Sequence, residues 1–397
     1  MIHSAEIPGP LSDILVVDLS RALAGPHATM MLGDLGARVV KVEAPGHGDD
    51  TRGWGPPFVG DPGAQESTYF LSANRNKESI ALDLKSVADR DVLLRLVDRA
   101  DVLVENFRTG VLERLGLGID SLTARNPRLV VLSITGFGHD GPEGGRPGYD
   151  QIAQGEAGLM SLTGSGPEDP QRIGTPVADL LAGMYGAYGV LAALHERQTT
   201  GLGTVVRTSL LAAAVGVHAF QGTRWTVAGE VARAQGNHHP AVAPYGLFRC
   251  SDGAVQIAVG SEGLWSRFCA GFGLDPDVEG LATNAERATN RGRVVEVVEE
   301  VFASWEAEPL LGRLAEIGIP AGKVRSLDEV YGWDQTRSQG LLVDVEHTTL
   351  GRVTLPGPPL RFFAADGTES TRGDHDAPPV LDEDGSRIRA WLDEQQP

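Results

Sequence analysis

From Ile14 to about Thr135, short unbroken apolar runs alternate with longer stretches of mixed polarity. Ile14–Leu19 (ILVVDL) is apolar on enough consecutive positions for a strand buried on both faces. Arg38–Glu43, Ser79–Leu84, Asp101–Glu105 and Leu129–Ile134 have the same character. Between them the pattern predicts helices, the first running from Gly25-Pro26 to Leu35 and stopped by Gly36. Others cover Val87–Arg99, Gly110–Leu115 and Ser121–Arg125. Strands spaced by helices of this length predict an α/β fold, a Rossmann-like doubly wound parallel sheet with ligands beyond the carboxyl ends of its strands.

Thr204–Thr208 then reads as a strand and Leu210–Trp225 as a helix, after which the character changes. Ala232–Pro244 is turn-rich, and Tyr245–Arg249 and Val255–Val259 flank Ser251-Asp252-Gly253, a hairpin signature. Helices over Arg293–Trp305 and Leu310–Ile317 and a strand over Ile319–Val324 follow. Val343–His347 and Arg352–Leu355 predict two strands joined at Leu350-Gly351. These elements predict a large discontinuous domain (1–225 and 327–397) and a smaller α+β domain (226–326). The tail from Ala365 to Gly385, acidic and rich in Gly and Pro, is expected to lie loosely on the surface.

One stretch stands apart. Asp179 follows a Gly-Thr-Pro break and opens a segment that runs uncharged from Leu180 to Leu194. The structural reading is a first-turn anion, since free N–H groups favour a carboxylate there. The chemical reading is a carboxylate nucleophile beside a buried site. Gly183, Gly186 and Gly189 lie four, seven and ten residues on, all on one helical face. Each costs about 1 kcal/mol relative to Ala, so close approach of another backbone or a large ligand is expected. The segment reads as a buried helix, too short and glycine-rich to span a membrane.

Composition narrows the function. The 397 residues are 41% hydrophobic and carry a formal charge of −19, which argues against nucleic acid or an anionic membrane as partner. Cys250 and Cys269 lack metal or redox spacing, so no disulfide framework is expected. Glu6 and Asp13 and the missing apolar stretch argue against a signal peptide and make the cytosol the expected compartment. Gly136, Gly138 and Gly141 match G-x-G-x-x-G, but Pro142, Gly144, Gly145 and Pro147 are poor helix material and the match fails its context. His238 and His239 are adjacent and cannot share one face, so no metal site is expected. No G-x-S-x-G elbow occurs. Arg21, Lys41, Arg75, Lys77, Lys85, Arg108 and Arg114 cluster around the predicted strands; singly they are surface charges, together a candidate phosphate-binding set. Trp54, in a Gly/Pro-rich loop, is either core or an aromatic gate over a site.

Several collinear motifs resemble the family III CoA-transferases, which include formyl-CoA:oxalate transferase, carnitine CoA-transferase and the α-methylacyl-CoA racemases. They are ALAGP at 22–26, LGARVVKVE at 35–43, GDDTRGWGPP at 48–57, NRNKESIALDLK at 74–85, ADVLVENFRTGVLERLG at 100–116, NPRLVVLSITGFG at 126–138, GYDQIAQ at 148–154 and VADLLAG at 177–183. They cover about the first 210 residues, with weaker echoes beyond. The resemblance implies Asp179 as the catalytic carboxylate. It implies that Leu23 and Ala24, Leu82, Lys85, Asn106, Phe107, Arg108, Arg114, Tyr149 and Asp150 border the CoA. It also implies an interlocked homodimer in which the smaller domain completes the site, with no permanently bound cofactor and CoA thioesters as substrate. Ala44, where the oxalate-metabolising members carry a basic residue, and Gly236-Asn237-His238-His239, in place of their glycine run, set this chain apart from them.

The chemistry expected is covalent: Asp179 attacks the thioester carbonyl, CoA thiolate leaves a mixed anhydride, and the thiolate returns as an incoming carboxylic acid becomes the new thioester. Gly236 and Asn237, with Trp54, are expected to shape the substrate pocket, and backbone N–H groups of that loop to stabilise an oxyanion. The alternative is an α-methylacyl-CoA racemase with Asp179 as base. Those enzymes pair the aspartate with a histidine; here that position is Tyr149, and a phenol is a poor substitute for imidazole in moving a proton. A non-catalytic CoA-binding scaffold is a third reading, disfavoured by the intact Asp179.

Overall fold

The computed structural model describes residues 9–394, so Glu6 lies outside the described residues. By contacts the chain divides into two compact units: 1–159, 173–223 and 334–397 form the larger, and 160–172 and 224–333 the smaller.

The larger unit is built on six strands: β1 (Leu15–Asp18), β2 (Arg38–Glu43), β3 (Lys77–Ala81), β4 (Val102–Glu105), β5 (Val130–Thr135) and β6 (Val205–Ser209). Their order is β3-β2-β1-β4-β5-β6 and every neighbouring pair is parallel. The chain steps outward from β1 to β3, then returns to β4 and proceeds the other way. β1 and β4 therefore flank the switch point, where their carboxyl ends part and leave a crevice.

Both faces are covered, which explains the unbroken apolar runs. Val16, Val39, Val102, Val104, Val130 and Leu132 face one core, with α1 (Ala24–Asp34) and the later helix Val177–Thr200. Leu15, Val17, Val40, Leu103 and Val131, one residue out of phase, face the other, with α2 (Val87–Val97) and the helix Gly385–Glu394. The period-two alternation sorts each strand between two cores.

Three helices of the larger unit matter for the site: α3 (Asp150–Glu156), α4 (the Val177–Thr200 helix) and α5 (Leu210–Gly216). The expected helix over Leu210–Trp225 is broken; Ala219 takes φ +47° and a separate helix runs from Ala219 to Thr226. At 24 residues α4 is longer than its uncharged stretch, and by length and composition it is apolar enough to cross a membrane. Only one side is buried: Ala182, Gly183, Gly186, Ala187, Val190 and Ala193 pack inward, whereas Met184, Tyr185, Tyr188 and Leu191 are exposed. The expectation of a wholly buried helix is corrected to a half-buried one.

The glycine stripe resolves in favour of protein contacts. A Cβ on Gly183 would lie 2.6 Å from the Ala24 carbonyl oxygen, one on Gly186 2.8 Å from a Leu132 methyl, and one on Gly189 2.6 Å from Val206. The stripe seats α4 against α1 and the sheet. Gly183→Val is expected to lower stability by about 1–3 kcal/mol, because its obstacle is backbone and cannot yield; chemical denaturation of the purified variant measures it.

The acidic tail is not loose. Ser79 and Ala81, on edge strand β3, donate backbone N–H groups to Asp384 Oδ2 at 2.9 Å and Asp382 Oδ1 at 2.8 Å. Asp384 N returns a bond to Ser79 O at 3.0 Å, and Ile388 and Leu392 then bury in the core. Tail carboxylates satisfy N–H groups that an open edge would leave unpaired.

In the smaller unit the predicted hairpin forms from strands Tyr245–Cys250 and Gly253–Ala258, with Ala321–Lys323 as a third strand. Helices Glu262–Phe272, Arg291–Phe302 and Ala307–Glu316 pack on it around Phe248, Trp265, Phe268 and Phe302.

Candidate active site

The first turn of α4 carries the candidate nucleophile. Pro176, at its N-cap, supplies no side-chain acceptor. Asp150, at the start of α3, fills that role: its Oδ1 accepts the N–H of Ala178 at 2.8 Å and that of Asp179 at 3.4 Å. Gln154, one turn on, donates to Asp150 Oδ2 at 2.7 Å and fixes the rotamer. Asp150 is thus a buried cap for α4.

Asp179 faces a different environment. Among the described residues its carboxylate has no hydrogen bond and no ion pair, and the helix's capping position is already taken by an anion. Burial, reinforced by the negative charge of Asp150, pushes Asp179 up to about 7. Burial here outweighs the pull of the helix N-terminus. At neutral pH the group divides between carboxylate and acid. Asp150→Asn keeps the cap but removes the like charge; Asp179 should then titrate at lower pH, measurable by following its carboxyl resonance.

Other groups meet this end of α4. Ala24, expected on the resemblance, lies against Gly183, one turn from Asp179; His27 follows it on α1 and also touches Gly183. Burial, with Arg75 and Lys77 nearby, holds His27 down at about 4, so its imidazole is neutral. Tyr69 joins them: burial, then the charges of Asp179, Asp150 and Asp49, raise its phenol to about 12. Among the described residues its hydroxyl has no partner. Trp54 stands edge-on to Tyr69 with ring centroids 5.1 Å apart, which links the predicted aromatic residue to this neighbourhood. Tyr69 sits in an ordinary STYF run, and only its position in space marks it.

The remaining candidates divide. Leu23 and Ala24 open α1 immediately beyond β1, and Asn106, Phe107 and Arg108 follow β4, so both groups stand at the switch-point crevice. Asn106 uses its amide on protein: Oδ1 accepts Arg21 N–H at 2.8 Å and Nδ2 donates to Arg21 O at 2.7 Å. Arg21 lies over the Phe107 ring, 5.4 Å from its centroid. Lys85, Arg108, Arg114 and Tyr149 are exposed. Leu82 is 1% exposed and its side chain packs in the core just beyond β3.

The basic cluster separates too. Lys41 pairs with Asp49 at 2.8 Å and Lys77 with Asp18 at 3.0 Å, all four side chains fully buried, and Arg75 grips Asp34 at 2.6 Å. Burial alone would raise Asp18, but Lys77 and Lys41 outweigh it and hold it down at about 2. These three cations are internal and spent. Arg21 pairs with Asp50 at 3.5 Å on the surface, and Lys85, Arg108 and Arg114 are exposed.

In the smaller unit, Gly236 takes φ +61° and donates its N–H to Gly164 O at 3.0 Å. The neighbouring Asn237 N–H has no hydrogen-bond partner among the described residues. His238 packs against Phe248 and His239 stacks on Tyr245.

Comparison with known proteins now bears on this geometry. The profile of CoA-transferase family III matches residues 11–385. Human succinyl-CoA:glutarate CoA-transferase is 36% identical over 355 residues, covering 89% of this chain and 80% of that protein. Acetyl-CoA:oxalate CoA-transferase of Acetobacter aceti is 36% identical over 97% of this chain and 96% of its own length. A crystal structure of a CAIB/BAIF family protein from Brucella suis superposes with a TM-score of 0.85 at 38% identity, covering 97% of this chain and 100% of that one. The chain is an enzyme of the CoA-transferase class and belongs to CoA-transferase family III.

Proposed function

We propose that the protein moves CoA from an acyl-CoA thioester to a carboxylic acid through Asp179. Support comes from one observation above the rest: an unpaired carboxylate, raised to about 7, at the mouth of α4 in a chain of this family. Asp179 attacks the thioester carbon, the C–S bond breaks, and CoA thiolate leaves a mixed aspartyl–acyl anhydride. The thiolate attacks the Asp179 carbonyl, freeing the donor as its carboxylate and forming an aspartyl-CoA thioester. The acceptor carboxylate attacks that carbonyl and expels the thiolate, which takes the acceptor acyl group and regenerates Asp179. Each exchange trades one activated acyl bond for another, so no external energy source enters.

Several relatives are named for dicarboxylic acids (glutarate, oxalate, mesaconate), which makes dicarboxylates the first acceptors to test. Arg21, Lys85, Arg108 and Arg114, free of the buried network, are the cations we assign to the CoA phosphates. The working form is proposed to be a homodimer in the cytosol; the exposed Met184, Tyr185, Tyr188 and Leu191 of α4 are an apolar face for a second copy to cover. Incubation with succinyl-CoA and a panel of dicarboxylates, followed by mass spectrometry, is expected to show a new acyl-CoA and a hydroxylamine-sensitive mass on the peptide containing Asp179. Turnover with no label at Asp179 would refute the covalent route.

A further inference from the structure

The turn between β1 and α1 is gripped from three sides. Lys41, on β2, donates to Ser20 O at 2.9 Å. Asp49, in the loop beyond β2, accepts from Lys41 at 2.8 Å and from Ala22 N–H at 3.1 Å. Asn106, after β4, holds both the N–H and the carbonyl of Arg21. Within this grip Ala22 has φ +65°, the left-handed region that an alanine enters at a cost of about 1 kcal/mol. The turn folds back so tightly that a Cβ on Gly25 would lie 2.2 Å from Ser20 Cβ.

Stability alone does not explain this arrangement. A fully buried ion pair is commonly replaceable by apolar residues at no loss, and the strained alanine is a cost without a packing return. Strain of this kind persists where the surroundings over-determine it, and here it stands at the switch-point crevice. We propose that Lys41 and Asp49 are positioning residues that hold the Ser20–Leu23 turn preformed for the CoA thioester. This rests on the CoA-transferase route proposed above. Neither side chain can reach the substrate; both act through the backbone of residues 20–22. A preformed turn lowers the ordering cost of binding, so its loss appears in affinity before it appears in the chemical step.

Asp49→Ala removes the acceptor for Ala22, Asp49→Asn keeps it, and Ala22→Gly leaves every contact but frees the backbone. For Asp49→Ala the expected result is KM for acyl-CoA raised about 10-fold with kcat within about threefold, and Asp49→Asn is expected to recover most of that loss. Ala22→Gly should raise KM about 3–10-fold while its melting temperature does not fall, a combination that a purely structural role would not give. It decides alone if Asp49→Ala does not fold. Unchanged KM in Ala22→Gly and in folded Asp49→Ala overturns the positioning role. Calorimetry of acyl-CoA binding to the parent protein separates this from the underlying reading: a parent that binds no acyl-CoA overturns the transferase route itself.

Discussion

Asp179→Asn is expected to abolish CoA transfer, with kcat reduced by about 10³-fold or more while acyl-CoA still binds. The amide preserves shape and can accept a hydrogen bond, but its oxygen does not form an anhydride. The same variant tests the electrostatics. An acid raised from 3.8 to about 7 is penalised in its ionised form, so its contribution to stability is most favourable below the lower value and is lost as pH rises through about 7. Removing the charge should therefore leave stability unchanged near pH 4 and raise it by about 1–3 kcal/mol at pH 8. In the parent enzyme kcat/KM should climb with pH and level off above about 7, because only the carboxylate attacks.

The second large effect belongs to the buried charges. Lys77→Met leaves Asp18 without its nearest cation inside the sheet, and a loss of about 3–5 kcal/mol is expected, read from the shift of the denaturation midpoint. Asp18→Leu added to it should restore much of that loss, because the destabilisation comes from the orphaned anion rather than from the missing pair. Asp18 also sets an acid limit: held at about 2 against an unfolded value near 3.8, its stabilisation is present above the higher value and disappears as pH falls through the lower.

The parallel sheet was legible because strands buried on two faces are written as local apolar runs. Ile14–Leu19, Arg38–Glu43 and Leu129–Ile134 needed no long-range information. The apolar pattern starts β3 only at Ser79, because the strand begins on Lys77, a charge that hydrophobic patterning assigns to a loop. Lys77 is inside only because Asp18, 59 positions earlier, meets it there. The same blindness made Lys41 and Arg75 look like phosphate ligands. Asp179 stood out by its Gly-Thr-Pro break and glycine stripe, which are local signals. That Asp150 caps its helix and that Tyr69 lies nearby are facts of tertiary packing. Linear spacing does not carry them.

The edge of β3 has a further implication for how the molecule is made. Its covering carboxylate at Asp384 is 305 positions downstream of Ser79. During synthesis the five other strands can assemble while that border stays raw, a template on which a neighbouring nascent chain can add a strand. Crowded expression should therefore trap truncated or slowly completed chains as aggregates, and supplying the downstream segment promptly matters more for yield than strengthening the core.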